Sequence, residues 1–458
     1  MQAFYLDVWV PHETPPGTYD GQIVVAARGV DPLVLPVRLT VWNFTLPDTL
    51  SFLCDMNGYG YPESKTWEGA INLHRLAHRH RLNVNIVPYS HAGNWTVPQM
   101  ELTAVGQGAA KRIADLTNFD RHFGPLLTGK AFADNPRAGV PVAAMFLPLY
   151  ENWPCLLKDG FTFDQSAQHV DITKDFSDEY KQGYLAVCRQ LAEHFQRKGY
   201  DRTVFHSFLN NKHQYAPETT FWLLDEPMFR DDYLVLGMFS ELTREGFRGA
   251  TPVQVDFRVD CSRVEEVHGT LNNVDLFVGS TGNLREFRRL KDNQDLSYIR
   301  QPSGRPRTWW VYGGTCRPSD LPVANRAWAI DTFLAGFDGL LPWLAYGGDE
   351  AWDSVEAAEN AVFYPAAKRW DYDGCYGSLR MKAFRDGQQD AEYLRLLCQQ
   401  KGVTRRELAA ALGKLLGTAG VIHKGRAGEA ETFSYGQLSP DDLIRFRRLL
   451  GQNLNAAL

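Results

Sequence analysis

Residues 221–227, Phe221-Trp222-Leu223-Leu224-Asp225-Glu226-Pro227, join a short apolar run to two adjacent carboxylates and end at a proline. The apolar run predicts a strand over Phe221–Leu224, and Pro227 favours an extended backbone at Glu226. The apolar residues that follow, Val235, Met238, Phe239 and Leu242, have the spacing of a helix. Gly246 predicts the end of that helix. The stretch therefore predicts a strand, an acidic tip and a helix. In a (β/α)8 barrel this order places Asp225 and Glu226 at the mouth, where catalytic groups lie.

An isolated Asp-Glu pair also has a plainer interpretation. One carboxylate caps the following helix while its neighbour is solvated. The choice between the two interpretations depends on the rest of the chain.

Composition describes a globular protein and excludes several classes. The chain has 458 residues, 44% of them hydrophobic and 12% aromatic, enough for one large domain and a smaller one. The net charge of -6, without a Lys/Arg-rich stripe, argues against a nucleic-acid partner. No apolar run is long enough to cross a membrane, and the first residues lack the features of a signal peptide, so we expect a cytoplasmic protein with no membrane partner.

The sequence predicts no metal site and no cofactor. The seven cysteines are scattered and form no CxxC pair, which is typical of free thiols. His74, His78 and His80 are spaced along a predicted helix, but no HExxH motif accompanies them. The glycine pairs at 313–314 and 347–348 lack the context of a phosphate-binding loop.

The first residues differ from the rest and predict a partial β-sandwich over 1–47. Short β-rich runs cover Phe4–Val10, Gly21–Ala27 and Leu33–Trp42. Three strands are few for a sandwich, whose core needs two facing sheets. We therefore expect the apolar face of this segment to be covered by the barrel or by a second copy in a homodimer.

Residues 48–400 alternate strand-like and helix-like segments, as a (β/α)8 TIM barrel requires, and 401–458 form a C-terminal helical segment. Nine segments compete for eight strand positions, so one of them must be misassigned. They are Leu50–Cys54, Val84–Pro88, Val142–Leu147, Thr203–Phe208, Phe221–Leu224, Val253–Phe257, Val274–Val278, Thr308–Tyr312 and Gly339–Trp343. Helix starts are predicted at Ser177, at the Thr404-x-x-Glu407 capping box and at Ser439-Pro440.

Aromatic and polar residues cluster at the predicted strand ends, which suits a sugar substrate. Aromatic rings stack on the C–H faces of a sugar, and its hydroxyls need paired hydrogen bonds. The candidate substrate-binding residues are Asp55, Trp310, Tyr312, Trp343 and Tyr346. Any one of these aromatic residues is equally well explained as barrel core.

Three segments resemble glycoside hydrolase family 123 and its relatives. They are Leu223–Pro227, the turn Pro16–Gly21, and the helix Ser378–Leu394, which contains Arg385-Asp386-Gly387-x-x-Asp390-x-x-Tyr393-Leu394. The resemblance implies a β-sandwich before a (β/α)8 barrel and action on terminal β-linked N-acetylgalactosamine. It also implies that Glu226 is the general acid and that Asp225 orients the 2-acetamido group. The short N-terminal sandwich departs from the family pattern.

The leading functional hypothesis is a retaining exo-β-N-acetylgalactosaminidase that uses substrate-assisted catalysis. If the acetamido oxygen attacks the anomeric carbon, two adjacent carboxylates suffice, one for the acetamido N–H and one for the leaving oxygen. An ordinary double-displacement glycosidase would instead need a separate nucleophile, for which Asp256, Asp349 and Glu350 are candidates. A barrel that binds a glycan without cleaving it is the alternative from another class.

Overall fold

The structure is a computed structural model that describes residues 5–162, 168–262, 274–283, 307–416, 421–423, 432–434 and 438–455. In chain order its strands are β1 (Gly17–Val25), β2 (Leu33–Val41), β3 (Leu53–Tyr59), β4 (Asn83–Val87), β5 (Ala104–Val105), β6 (Arg112–Ile113), β7 (Ala144–Phe146), β8 (Val204–Phe208), β9 (Gln254–Cys261), β10 (Leu276–Ser280), β11 (Thr308–Gly313), β12 (Gly339–Pro342), β13 (Phe363–Pro365), β14 (Cys375–Gly377), β15 (Val421–His423) and β16 (Thr432–Ser434). Its helices are α1 (Trp67–Arg79), α2 (Thr117–Leu127), α3 (Leu157–Gly160), α4 (Asp178–Lys198), α5 (Arg230–Gly246), α6 (Val323–Leu334), α7 (Leu379–Lys401), α8 (Arg405–Leu416) and α9 (Pro440–Asn455).

Eight parallel strands form a barrel, which confirms the predicted fold class. Their order in the sheet is β4-β3-β12-β11-β10-β9-β8-β7, so the first barrel strand is β3 and the eighth is β12. Alternate side chains fill the interior, among them Ala144, Leu276, Val278, Trp310 and Leu341. The carboxyl ends of all eight strands therefore meet at one face, where a barrel enzyme carries its site.

Two asparagine side chains join the open edges of this sheet, β4 and β7. The Asn83 amide donates to the Ala144 carbonyl at 3.0 Å and accepts from the Ala143 amide at 2.9 Å. Higher in the barrel, Asn85 Oδ1 accepts from the Phe146 amide at 3.0 Å. These side chains replace the ladder hydrogen bonds that the two strands do not make directly, and they satisfy backbone groups that would otherwise be buried without partners.

Eight of the nine predicted strands are present, shifted by a few residues at their ends. The ninth, Phe221–Leu224, is wrong, because this segment belongs to the loop between β8 and α5 and makes a single isolated bridge, Leu223 to Lys212. The apolar side chains of this segment predicted a strand, but they do not pack in the barrel sheet. Trp222 and Leu224 are buried beneath the loop, whereas Phe221 is exposed.

The N-terminal segment is a hairpin of β1 and β2 rather than three strands. Of the predicted strand Phe4–Val10, residue 4 lies outside the described residues and 5–10 are irregular, so that strand is wrong. One face of the hairpin is apolar and largely exposed in the single chain, with Ile23, Val25, Leu33 and Leu35 side by side. The barrel therefore does not cover this face, and the homodimer stays a prediction.

The predicted helix starts are confirmed by their capping contacts. Ser177 Oγ accepts from the Tyr180 amide at 3.2 Å at the start of α4. The Thr404 and Glu407 capping box precedes α8, and Ser439 Oγ accepts from the Asp442 amide at the start of α9. Such caps satisfy backbone amides that the helix itself leaves without partners.

The motif in α7 that carried the family resemblance is structural. Asp390 is fully buried and pairs with Arg326 of α6 and Arg447 of α9, each at 2.6 Å. Gly387 lets α6 approach, because a Cβ there would lie 2.7 Å from the Cβ of Ala329. This motif therefore holds the three helices together. None of the described helices is long and apolar enough to cross a membrane.

We expect Asn83→Leu to lower the free energy of unfolding by about 2–5 kcal/mol. The change removes the bonds to β7 and also a donor, at 2.6 Å, to the buried Asp55 carboxyl. Urea unfolding at pH 7 measures the difference. Asn118→Leu, at a half-buried position of α2 where the side-chain oxygen accepts from Arg121 at 2.8 Å, is the matched control and should change stability by no more than about 1 kcal/mol. Equal effects of the two substitutions would show that the asparagine bonds do not hold the barrel closed.

Candidate active site

Asp225 and Glu226 lie in the loop that follows β8, the fourth barrel strand, so they reach the carboxyl-end face as predicted. Two backbone bonds fix this loop, from the Leu224 amide to the Asn211 carbonyl at 3.0 Å and from the Lys212 amide to the His91 carbonyl at 3.0 Å. Asp232 in the first turn of α5 accepts from the Leu223 amide at 3.0 Å. The pair is therefore positioned by a folded loop rather than by a strand end.

The two carboxylate oxygens of Asp225 have different surroundings. One of them contacts two side chains that are cationic or donate a hydrogen bond, and the other contacts neither of these side chains. Oδ2 accepts from His91 Nε2 and lies near Lys212 Nζ, each at 3.1 Å. The carboxyl is buried, which opposes ionisation, yet the His91 hydrogen bond and the Lys212 charge lower the pKa of Asp225 below its usual range. No described residue makes a hydrogen bond to Oδ1. A rigidly held, ionised carboxylate with one unused oxygen can accept an N–H from a ligand.

Glu226 has a left-handed backbone, with φ of 57°. The expected extended conformation is therefore wrong. Its amide donates to the Asp260 carbonyl at 3.2 Å, a contact that overrides the local preference set by Pro227. Such a conformation costs about 1–2 kcal/mol for a residue with a Cβ, and strained residues of this kind concentrate at functional sites.

Three donors surround the Glu226 carboxylate. Oε2 accepts from Lys212 Nζ at 2.9 Å, while Oε1 accepts from the Tyr312 hydroxyl at 2.5 Å and from Ser262 Oγ. Burial and the Glu226 charge raise the pKa of Tyr312 well above its usual value, so it remains a donor. Tyr312 is thus the predicted binding residue that the structure brings into direct contact with the pair.

Lys212 contacts both carboxylates and was missed from sequence. Its side chain is only 12% exposed. Burial opposes its charge, but Asp225 and Glu226 outweigh that effect and raise the pKa of Lys212. A lone lysine in a polar loop gives no sequence signal for this role, because the contact depends on how residues 209–226 fold back on themselves.

A third carboxylate, Asp260, lies beside the pair at the end of β9. It is buried and receives two hydrogen bonds from Arg258, at 2.7 and 2.6 Å. The Arg258 guanidinium lies over the rings of Phe146 and Phe208, at 5.1 and 4.9 Å from their centroids. Burial and the charges of Asp225 and Glu226 raise the pKa of Asp260, although Arg258 opposes the shift. The sequence signal was the alternation of polar residues at 256, 258 and 260, which places all three on one face of a strand.

The other predicted binding residues occupy different depths of the barrel. Asp55 lies in the interior, bonded by Asn83 at 2.6 Å and Asn85 at 3.0 Å, and burial raises its pKa to about 6. Trp310 is also in the interior, packed near His206. The buried Tyr346 donates its hydroxyl proton to the Gly60 carbonyl. Trp343, directly after β12, is 37% exposed at the mouth. Of this set, Tyr312 and Trp343 are placed to meet a ligand from solvent.

A row of aromatic rings lines the mouth near Asp225. His91 stacks on Tyr215 with ring centroids 5.2 Å apart and also packs against Tyr59 at 5.1 Å. Tyr215 is 59% exposed. His91 lies four residues after β4, and Tyr215 lies in the same loop as the pair. Neither is among the candidate binding residues predicted from the sequence.

The three alternative nucleophiles are placed elsewhere. Asp256 is buried lower on β9, where Gln254 donates to it at 3.2 Å. Asp349 pairs with Arg369 at 2.9 Å, and Glu350 is exposed beside it. Within the described ranges, no group of histidine, cysteine or acidic residues has the arrangement of a metal site.

Comparison with known proteins shows the fold. The structure matches a family 123 glycoside hydrolase from Clostridium perfringens, studied for glycolipid glycan hydrolysis, with a TM-score of 0.56 and 14% identity over 98% of this chain and 77% of that one. The chain has the fold of a family 123 glycoside hydrolase. The resemblance inferred from the sequence motifs is thereby confirmed at the level of structure.

Two other solved structures that match are also glycoside hydrolases, each with a TM-score of 0.37. A xyloglucanase of family 5 from Bacteroides ovatus is 11% identical, over 81% of this chain and 86% of that one. A family 113 β-1,4-mannanase is 11% identical, over 74% of this chain and 99% of that one. No protein-family model matches the sequence, and no curated protein matches it.

We expect Lys212→Met to lower the free energy of unfolding by about 2–4 kcal/mol at pH 7, because it leaves two neighbouring carboxylates without their shared cation. The folded-state pKa of Asp225 is lowered, so its stabilising contribution exists above its unfolded pKa and is lost as the pH falls through the folded value. The difference from wild type should therefore shrink in acid, as urea unfolding between pH 3 and 7 would show.

Lys198→Met is the matched control for this test. Lys198 pairs with Asp120 at 2.8 Å but is 47% exposed, so its loss should change stability by about 1 kcal/mol or less. A Lys212→Met penalty no larger than that of the control would contradict the bridging role.

Proposed function

We propose that this protein is a retaining exo-β-N-acetylgalactosaminidase that uses the 2-acetamido group of its substrate as the nucleophile. The observation that carries the proposal is the adjacency of Asp225 and Glu226 in a site where Tyr312, not a second free carboxylate, faces Glu226. Among the described residues the remaining nearby carboxylate is Asp260, and Arg258 occupies it with two hydrogen bonds. Substrate assistance is the retaining mechanism that needs no protein nucleophile.

In this proposal the two carboxylates have different tasks. Asp225 accepts the acetamido N–H on its unused Oδ1 and stabilises the positive charge that develops on the oxazolinium. Its ionised state, held by His91 and Lys212, suits that task. Glu226, protonated when the substrate binds, gives its proton to the leaving oxygen. As the carboxylate it then takes a proton from the water that opens the oxazolinium. Tyr312 and Ser262 orient its carboxyl group.

Three observations support the proposed substrate class: the fold, the motif resemblance and the exposed aromatic rings. Glycosidase activity is supported by the fold shared with the Clostridium perfringens enzyme. The galactosamine preference and the exo mode come from the motif resemblance. Trp343 and Tyr215 present exposed aromatic surfaces on which a sugar ring would stack.

The first functional prediction concerns Glu226→Gln. We expect hydrolysis of a natural N-acetylgalactosaminide to slow by about 100- to 1000-fold, because the leaving alcohol needs a proton in the transition state. An aryl glycoside with an acidic phenol should slow far less, since its leaving group needs little protonation. Steady-state kinetics on both substrates give the comparison, with thermal unfolding as the check on folding. Equal losses on the two substrates would remove Glu226 from the acid role.

The second prediction separates substrate assistance from double displacement. A thiazoline analogue of the galactosamine oxazoline should inhibit tightly, since it resembles the proposed intermediate. Asp225→Asn should weaken both this inhibition and kcat by about 100-fold, the effect of losing one preorganised electrostatic contact. Inhibition constants and rates for the two proteins provide the measurement.

Two outcomes would overturn this mechanism while leaving a glycosidase. Glycosides that lack the acetamido group could be cleaved as fast as those that bear it. A fluorinated sugar could also label a carboxylate covalently, and peptide mapping would then show whether Asp256, Asp349 or Glu350 is the nucleophile. Binding of the sugar without any hydrolysis would instead favour a carbohydrate-binding barrel.

A further inference from the structure

Three oxygen atoms lie in mutual contact at the Glu226 carboxyl group and form a closed triangle. The Tyr312 hydroxyl lies 2.5 Å from Glu226 Oε1 and 2.8 Å from Ser262 Oγ, and Ser262 Oγ also contacts Oε1. Ser262 directly follows β9, whereas Tyr312 lies on β11, two strands away in the sheet. All three sides of this oxygen triangle are short enough for hydrogen bonds between oxygens.

The number of protons in the oxygen triangle depends on the charge of Glu226. Ser262 and Tyr312 each bring one hydroxyl proton. If Glu226 is ionised, these two protons serve three sides, so one side brings two oxygens together without a hydrogen between them. If Glu226 is protonated on Oε1, three protons serve three sides, and each oxygen donates one hydrogen bond and accepts one. The oxygen triangle is therefore complete when Glu226 carries a proton on Oε1.

Lys212 determines which oxygen of Glu226 carries this proton. Its ammonium group donates to Oε2 at 2.9 Å and has no lone pair with which to accept. A proton on Oε2 would compete with that ammonium N–H. A proton on Oε1 instead leaves Oε2 as a carbonyl oxygen, which accepts from Lys212. The Lys212 contact and the oxygen triangle are therefore satisfied together by the same neutral form of Glu226.

The charged groups that face Glu226 act in opposite directions. Lys212 favours the ionised form of Glu226. The adjacent Asp225 and, when it is ionised, Asp260 at the end of β9 favour the protonated form. Burial raises the pKa of Tyr59 well above its usual value, so this phenol stays neutral. Charge alone therefore does not decide the protonation of Glu226, and the hydrogen bonds of the oxygen triangle add to the protonated side.

We propose that Ser262 and Tyr312 are positioning residues that hold the acid proton of Glu226, and that the Ser262 hydroxyl turns from Tyr312 to Oε1 when that proton leaves. This inference rests on the proposed function, in which Glu226 is first the acid and then the base. A serine hydroxyl rotates readily, whereas a phenol O–H prefers the plane of its ring, so Ser262 is the group that turns.

The turn of Ser262 accompanies each proton transfer of Glu226. When the leaving oxygen takes the proton from Oε1, the electron pair of the O–H bond stays on Glu226. Ser262 then donates to Oε1 alongside Tyr312, so that two hydroxyls stabilise the new carboxylate. The water that opens the oxazolinium returns a proton to Oε1, and Ser262 turns back to Tyr312.

The kinetic test compares two substrates, because a structural role would affect both equally. Ser262→Ala should lower kcat/KM by about 10-fold for a natural N-acetylgalactosaminide, since the carboxylate that forms as the proton leaves loses a donor. An aryl glycoside with an acidic phenol should change by less than about 2-fold, because its leaving group needs little protonation. Ser262→Thr keeps the hydroxyl and should retain both rates. Ser207→Ala is the matched control, a buried serine of β8 whose hydroxyl faces Thr243 of α5.

Neutron diffraction from crystals in heavy water locates the hydrogens directly and needs no substrate. At about pH 6 we expect deuterons on all three sides of the oxygen triangle, with that of Oε1 directed at Ser262. At about pH 9.5 we expect two, one from Ser262 and one from Tyr312, both directed at Oε1.

The two measurements separate failure of the inference from failure of the proposed function. An Oε1 without a deuteron at the lower pH, or equal kinetic losses on the two substrates in Ser262→Ala, would overturn the inference even if the enzyme is active. Three deuterons at the lower pH and the turned Ser262 at the higher pH, in a protein without N-acetylgalactosaminidase activity, would leave the proton-holding triangle standing and overturn the proposed function.

Discussion

The site depends on one ion pair network, the Lys212 ammonium shared between Asp225 and Glu226. Two adjacent carboxylates at the mouth of a barrel repel each other, and burial adds a desolvation penalty to each. Lys212 lies within 3.1 Å of one and 2.9 Å of the other, so a single cation offsets both effects. This need for a shared cation explains the fold of the loop after β8, because the loop must bring Lys212 into contact with Asp225 and Glu226.

The two carboxylates become chemically distinct because their partners differ. Asp225 is buried and bonded by His91, whereas Glu226 is more exposed and is bonded by the hydroxyls of Tyr312 and Ser262. The left-handed backbone of Glu226 turns its side chain toward the end of β11 instead of along the loop. The different environments of the two adjacent carboxylates therefore come from the backbone conformation of Glu226 and from two different sets of neighbours.

Beneath the site, the barrel interior holds several buried polar and charged side chains. Asn83 and Asn85 close the sheet and also donate to Asp55, while Arg258 pairs with Asp260 one layer higher. Each of these groups has a partner of opposite charge or a hydrogen-bond donor, which makes its burial tolerable. The same interior that completes the barrel thus presents Asp260 and the Arg258 charge beside Asp225 and Glu226.

Local signals in the sequence determined the elements of the barrel and the location of the acidic pair. Apolar runs of β-branched and aromatic residues identified all eight strands, and caps such as Ser177 and the Thr404 box identified helix starts, because these features act within a few residues. The ninth strand, Phe221–Leu224, failed for a physical reason. An apolar run that is buried under a loop has the same composition as one that joins a sheet.

Tertiary structure alone decided which residues surround the pair. Lys212 comes from the loop after β8, whereas Asp260 and Ser262 come from the end of β9. These two segments meet at the barrel mouth only when the strands pair, and no local pattern in the sequence relates Lys212 to the other two residues. It also separated interior residues such as Asp55 and Trp310 from Tyr312 and Trp343 at the mouth. The depth of a side chain in the barrel depends on its position along the strand and on the register between neighbouring strands. The sequence of a single strand does not specify that register.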